Sequence, residues 1–177
     1  MSNAAFFYHE QLHRSAELMR RIQDRRIVVC GAGALGANLV ESLARQGFAA
    51  LRVIDRDRIE ERNLSTQPYY ATDVGAFKAK ILANSLYRAL GVKVDARVDE
   101  LTEANAARLL NDAPLVVDTF DKSVARHAVK RFCDSASVAG LHAGLAAGYG
   151  EVIWNEHYKV PSPSQDDLCD YPLRAIS

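Results

Sequence analysis

A run of glycines, a lysine and two aspartates are the residues of this chain whose types and spacing suit chemistry on a polyphosphate. Residues 31–36 read Gly-Ala-Gly-Ala-Leu-Gly, a G-x-G-x-x-G spacing. In that spacing Gly31 permits a tight turn, Gly33 lets a phosphate approach the backbone, and Gly36 lets a helix pack close to a sheet. Gly31, Gly33, Ala34 and Gly36 are therefore the loop positions expected to meet a nucleotide. Asp55, nineteen residues after Gly36, is placed to accept hydrogen bonds from a ribose. Lys78 falls in the first turns of an expected helix, where a cation opposes the dipole and has no local structural reason to be. A polyphosphate bound at the same end supplies that reason. Asp121 stands just past an expected central strand, positioned to hold Mg²⁺ or to orient a nucleotide. Capping the next helix is its competing use.

These side chains need a scaffold that brings them together. Ile27 to Cys30 is a short apolar run that reads as a fully buried parallel strand, and Ala37 to Gln46 continues with helical periodicity. Leu51 to Ile54 is a second apolar strand, closed by Asp55. Strand, glycines, helix, strand and acid in this order point to a nucleotide-binding βαβ unit; an ordinary strand-to-helix turn with incidental glycines is the plainer reading. A long polar connection follows from Arg56 to Pro68, and Asp73 is read as the cap of a helix running from about Lys78 to Leu90. Gly91 ends that helix. Lys93 to Val98 alternates as a strand, Thr102 opens a short helix ending near Asn111, and Pro114 to Val117 is the next buried strand. A helix is expected over Ser123 to Asp134 and strands over Ser137 to Leu141 and Tyr149 to Trp154. The last of these lies at the sheet's edge, with Gly140, Gly144, Gly148 and Gly150 as turn markers. The fold class expected is α/β: a Rossmann-like, mostly parallel sheet with helices on both faces and antiparallel edge strands toward the C-terminus.

Ahead of the sheet, Tyr8 to Asp24 reads as one amphipathic helix with Leu12, Ala16, Met19 and Ile22 on one face. Its arginines form either a solvated basic face or the source of one arginine delivered to a phosphate, for which Arg14 is the first choice. The domain plan is thus a helical segment over 1–25, a nucleotide-binding domain over 26–155, and a loop-like tail over 156–177 that leads toward something absent. The 177 residues suffice for one domain with a real core. Twenty-two Lys and Arg balance twenty-two Asp and Glu, so no net field draws nucleic acid or a membrane surface. No apolar run is long enough to span a bilayer, and a cytoplasmic home is expected. Cys30, Cys133 and Cys169 are three and far apart, which suggests neither a disulfide framework nor a metal site.

The chain resembles the ThiF/MoeB/HesA family, the bacterial relatives of ubiquitin-activating enzymes. The resemblance rests on Gly31 to Gly36, on D-x-D as Asp55 and Asp57, and on N-L-x-x-Q as Asn63, Leu64 and Gln67. It also rests on G-x-x-K as Gly75 to Lys78, on Phe120-Asp121 where the family has T-D-N, and on Arg126. It implies adenylation of the C-terminal carboxylate of a small β-grasp carrier protein with ATP and Mg²⁺, releasing pyrophosphate, in an enzyme that works as a homodimer. By the same resemblance the glycine loop and Asp55 hold adenosine, Asn63 and Lys78 contact phosphates, Asp121 handles Mg²⁺ and Gln67 shapes the site. A basic residue from a partner's N-terminal helix completes such sites, which matches Arg14.

Three departures stand out. Thr66 occupies the position of the family arginine, so Arg62 or Arg14 is expected to take over its charge. Lys122 replaces the T-D-N asparagine. Of the paired C-x-x-C zinc knuckle only Cys169 remains, with Asp166 where a cysteine would be, so no zinc site is expected. Cys169 is alternatively a thioester-forming nucleophile. A non-catalytic partner subunit and a nicotinamide-dependent oxidoreductase are the two other functional readings.

Overall fold

The computed structural model describes residues 7–146 and 149–162. Six strands form one sheet in the order β3-β2-β1-β4-β5-β6. They are β1 (Ile27–Cys30), β2 (Leu51–Ile54), β3 (Asp95–Arg97), β4 (Leu115–Asp118), β5 (Ala139–Ala146) and β6 (Tyr149–Trp154). All neighbours run parallel except β5 and β6, which pair antiparallel. The strand order reverses between β1 and β4, and the crevice outside their carboxyl ends is where open α/β sheets bind ligands.

The four residues of β1 are fully or almost fully buried, as a central strand covered on both faces must be. On one face Val29 and Val53 pack with α3 (Ala34–Arg45) and α4 (Lys78–Leu90). On the other, Val28, Cys30 and Val116 pack with α5 (Ala106–Leu110) and α6 (Ser123–Ala136). The α/β class, the parallel sheet, the helices on both faces and the antiparallel edge all agree with the sequence reading.

Several local expectations are corrected. The N-terminal helix is two helices, α1 (Tyr8–His13) and α2 (Ala16–Asp24). Ser15 breaks it, because its hydroxyl accepts from the Leu18 N–H and starts a new helix. Asp73 does not cap α4. Its carboxylate accepts from the Tyr70 N–H and closes a separate 3₁₀ turn over Ala71–Asp73. Strand β5 runs on to Ala146, and Gly140 and Gly144 lie inside it. Their missing side chains make room instead. A Cβ on Gly140 would stand 3.0 Å from the Cys133 sulfur, and one on Gly144 would stand 3.2 Å from Arg126 Nη2. Residues 155–157 form a turn, and 158–162 follow without a regular element. Asp166, Cys169 and the other residues of the expected tail from 163 onward lie outside the described residues.

Candidate functional site

The glycine loop leaves β1 at Gly31, whose φ of +107° favours a residue without a side chain. Gly31 donates its N–H to the Ile54 carbonyl at 2.8 Å. Gly36 is fixed by packing, since a Cβ there would run into the Gly31 carbonyl and stand 2.6 Å from Thr119 Oγ1. Gly33 differs: a Cβ there would meet nothing within 4 Å. Its surroundings are open space at the start of α3, where backbone N–H groups are unclaimed by the helix. Tyr69 braces the loop from beneath by donating its hydroxyl to the Ala32 carbonyl at 2.8 Å. Sequence reasoning gave Tyr69 no part, because its contact spans thirty-seven residues.

Asp55 is buried and ties β2 to the loop. One carboxylate oxygen accepts from the Ala32 N–H and the other from the Asp57 N–H, both at 2.7 Å. Burial pushes its carboxyl up, against those two hydrogen bonds and the Lys78 charge, which pull it down. Each carboxylate oxygen keeps further lone-pair capacity, so Asp55 can hold the loop and still accept from a ligand.

The polar connection after Asp55 lies across the front of this loop. A 3₁₀ turn over Glu61–Asn63 is closed by Asn63 Oδ1, which accepts from the Glu60 N–H at 2.9 Å. Arg62 extends from the same turn, 80% exposed, and pairs with Glu60 at 2.6 Å. Thr66 is buried, and its carbonyl accepts from Asn38 on α3. Gln67 Oε1 is buried with no hydrogen-bond partner among the described residues. A buried acceptor of this kind calls for a donor from beyond the described residues. Lys78, at the first position of α4, is buried, only 8% exposed, with its Nζ 3.9 Å from Asp57 Oδ2.

Together these groups line a cleft of about 1010 Å³. Gly31, Gly33, Ala34, Asp55, Asp57, Arg62, Asn63, Thr66, Gln67, Lys78, Asp121, Lys122 and Arg126 all contribute to it. Asp121 is exposed at the carboxyl end of β4, and the N-cap position of α6 belongs to Lys122 instead. Gly36 supports the loop from behind without lining the cleft.

Arg14 stands elsewhere. Its guanidinium donates to the Gln46 carbonyl at the C-cap of α3, the helix whose other end forms the cleft. Twelve residues of helix put about 18 Å between those ends. Within one chain Arg14 is therefore remote from the glycine loop.

The β4–β5 side of the cleft holds a buried network that sequence reasoning missed. Asp118 and His142, neighbours across the sheet, are both wholly buried. His142 Nδ1 lies 2.8 Å from Asp118 Oδ2, and its Nε2 lies 2.8 Å from Asn155 Oδ1. The Tyr158 ring stacks on His142 at 3.9 Å. Arg126 joins the network to the cleft, donating to the Phe120 carbonyl, the Tyr158 hydroxyl and the Ala143 carbonyl. Burial acts to lower the Arg126 guanidinium, but the negative charge of Asp118 and the contact with Tyr158 outweigh it and hold it up. Of its members only Arg126 is singled out in the sequence, by the family resemblance.

Burial pushes the thiols of Cys30 and Cys133 up, that of Cys133 to about 11, so neither is a nucleophile at neutral pH. Among the described residues no group of three His, Cys, Asp or Glu side chains is placed to hold a metal ion, and no helix is long and apolar enough to cross a membrane.

A glycine loop, a buried acid, a lysine at a helix start and an acid past the next strand now share one cleft, and comparisons with known proteins bear on that arrangement. A sulfur carrier protein adenylyltransferase of Thermus thermophilus is 35% identical over 148 residues, covering 80% of this chain and 53% of that protein. The sulfur carrier protein ThiS adenylyltransferase of Bacillus subtilis is 29% identical over 135 residues, covering 74% of this chain and 40% of that one. The chain thus spans about half the length, or less, of these curated relatives. Among solved structures, E. coli tRNA N6-threonylcarbamoyladenosine dehydratase TcdA in complex with ATP superposes with a TM-score of 0.78 at 24% identity. That match covers 82% of this chain and 61% of that one, and it shows the shared fold. The ThiF family model matches residues 8–168, nearly the whole chain and every element that builds the cleft: the chain belongs to the ThiF family.

Proposed function

We propose that the cleft binds ATP and that the chain adenylates the C-terminal carboxylate of a small ubiquitin-like or sulfur-carrier protein, releasing pyrophosphate. The observation that carries this reading is the convergence of Gly33, Asp55, Lys78 and Asp121 on one cleft in a ThiF-family chain. The curated relatives named above are adenylyltransferases, which supports the reaction class. In the reaction a carboxylate oxygen attacks the α-phosphorus as the bond to the pyrophosphate oxygen breaks. Two anions must be brought together and the leaving charge neutralised.

The chain's residues divide that work by position. The open backbone at Gly33 and the start of α3 receive phosphate oxygens, while Asp55 accepts from the ribose. Lys78 brings a desolvated positive charge to the phosphates, where it acts in a weaker screening medium than water. Asn63, whose Oδ1 closes its own turn, offers its amide N–H groups. Gln67 Oε1 awaits a donor from the nucleotide or the substrate. Asp121 suits Mg²⁺, an ion commonly held by one or two carboxylates and the substrate's own phosphates; when bound, the ion supplies charge neutralisation for the leaving pyrophosphate.

Thr66 brings no charge to the position where the family has arginine. Arg62, exposed in the same turn and lining the cleft, takes that charge over, or Arg14 does so across an interface between two copies. A homodimer is part of this proposal for the second case.

The test is ATP–pyrophosphate exchange with a small carrier protein ending in Gly-Gly, alongside thermal shift with ATP and with NAD. Exchange that depends on the carrier, with stabilisation by ATP and not by NAD, is expected. Stabilisation by NAD alone would replace this reading with an oxidoreductase. ATP binding without any exchange would leave a non-catalytic partner subunit.

A further inference from the structure

The network behind the β4 side of the cleft constrains how its polar groups can pair. Asn155 Nδ2 donates to the Asp134 carboxylate, and an amide turned the other way would set its oxygen against that carboxylate. The orientation of the amide is therefore settled, and Asn155 Oδ1 faces His142 Nε2 at 2.8 Å. Nδ1 of the same ring faces the Asp118 carboxylate at 2.8 Å. With Asp118 as the carboxylate that the charge of Arg126 favours, both ring nitrogens face acceptors, and only a doubly protonated imidazole donates from both. We propose that His142 is a buried imidazolium, paired with Asp118, and that this pair is the positioning unit for the Thr119–Asp121 turn of the cleft.

The connection to the cleft is short. Asp118 uses one carboxylate oxygen for His142 and the other for the Phe120 N–H at 3.0 Å. Arg126 Nε holds the Phe120 carbonyl at 2.6 Å. Both sides of the Phe120 backbone are thereby anchored, directly before Asp121. Without the proton on Nε2, Asn155 Oδ1 and the ring nitrogen would confront each other as two acceptors. Without the positive charge, Asp118 would be a carboxylate buried beside Cys30 and offset by the guanidinium of Arg126, and a buried charge so thinly compensated is costly in a dry interior. Lys130 and Asp134 on α6 balance each other at the outer end of the network. The stacked Tyr158 ring offers its π face to the imidazolium.

The test starts with the folded protein in solution. The other four of the five histidines, His9, His13, His127 and His157, are exposed. Replacing all four with Gln leaves His142 as the only histidine without disturbing the interior. ¹⁵N-histidine labelling and a long-range ¹H–¹⁵N correlation at neutral pH should show both ring nitrogens protonated. One protonated and one bare nitrogen would overturn the proposal. Asp118→Asn then removes the counter-charge and leaves the Phe120 N–H and the His142 ring competing for one acceptor. It should return His142 to a single proton and lower the exchange rate constant roughly tenfold or more, with AMP affinity within about twofold of wild type. An imidazolium that persists in Asp118→Asn, an unchanged rate constant, or an equal loss of AMP affinity would each contradict the positioning role. The rate arm rests on the adenylation reading above, whereas the protonation arm does not. A doubly protonated His142 in a protein that shows no exchange would refute the reaction and leave the pair standing.

Discussion

The two walls of the cleft are built by different means. On the β1–β2 side the chain supplies backbone: Gly31 turns, Gly33 opens, and Asp55 clamps the loop by two backbone N–H groups. On the β4–β5 side it supplies side chains, with Asp118, His142, Asn155, Tyr158 and Arg126 joined in one buried network. The first wall needs particular residues at particular spacings within thirty positions. The second needs partners drawn from β4, β5, α6 and the segment after β6, and tolerates any spacing that the fold can bring together. A backbone wall is therefore readable in sequence, and a side-chain wall is not.

The largest expected effects come from the charges that stand at the cleft between the walls. Lys78→Ala and Asp121→Ala should each lower pyrophosphate exchange by about two orders of magnitude or more, the cost of removing one positioned charge from a transition state. The melting temperature of the apo-protein should stay within a few degrees, since neither side chain ties the two walls together. Of Arg62→Ala and Arg14→Ala, measured in the same assay, at least one should come close to Lys78→Ala. Full activity in both would show that Thr66 stands uncompensated.

Next in size is a contrast within the backbone wall. Gly36→Ala places a methyl against the Gly31 carbonyl and should destabilise the fold by about 1–3 kcal/mol, the usual cost of overpacking. Gly33→Ala adds its methyl to open space and should leave stability within about 0.5 kcal/mol while weakening nucleotide binding. Denaturant melts paired with ATP titrations read both. Equal stability losses in the two variants would mean that Gly33, like Gly36, serves packing alone.

The smallest effect lies at the sheet's far edge, away from the walls. Burial acts to raise the Asp95 carboxyl, but hydrogen bonds from Arg52 at 2.7 Å and Arg97 outweigh it and hold it below the ordinary carboxylate value. As pH falls, the unfolded chain takes up that proton before the folded one does. The stabilisation is therefore complete above the ordinary value and is lost as pH falls through the folded one. Asp95 is partly exposed, so Asp95→Asn should cost at most about 1 kcal/mol at neutral pH. That difference from wild type should vanish in acid. Chemical melts across that range check it.

The legibility of the molecule follows the same division. Ile27 to Gly36 and Leu51 to Asp55 were readable because burial forces a short apolar strand and the phosphate loop forces glycines, both local demands. The family resemblance added Asn63, Gln67 and Asp57, and the cleft includes all three. Gly140 and Gly144 misled because a glycine that yields space to Arg126 or Asn155 looks, in sequence, like one that turns the chain. Asp73 misled because its partner, the Tyr70 N–H, lies three residues before it and not ahead in the helix. Asp118 and His142 were silent, since a contact across twenty-four residues leaves no spacing rule behind.

The claim that joins both walls is that a carrier's carboxylate becomes an acyl-adenylate in this cleft. Intact-mass measurement of a Gly-Gly-ended carrier incubated with the protein and ATP tests it directly. The carrier should gain the mass of one AMP moiety, the gain should disappear with Lys78→Ala, and a carrier with an amidated C-terminus should gain nothing. A carrier that leaves the reaction at its original mass while ATP is consumed, or an AMP gain that survives amidation, would contradict it.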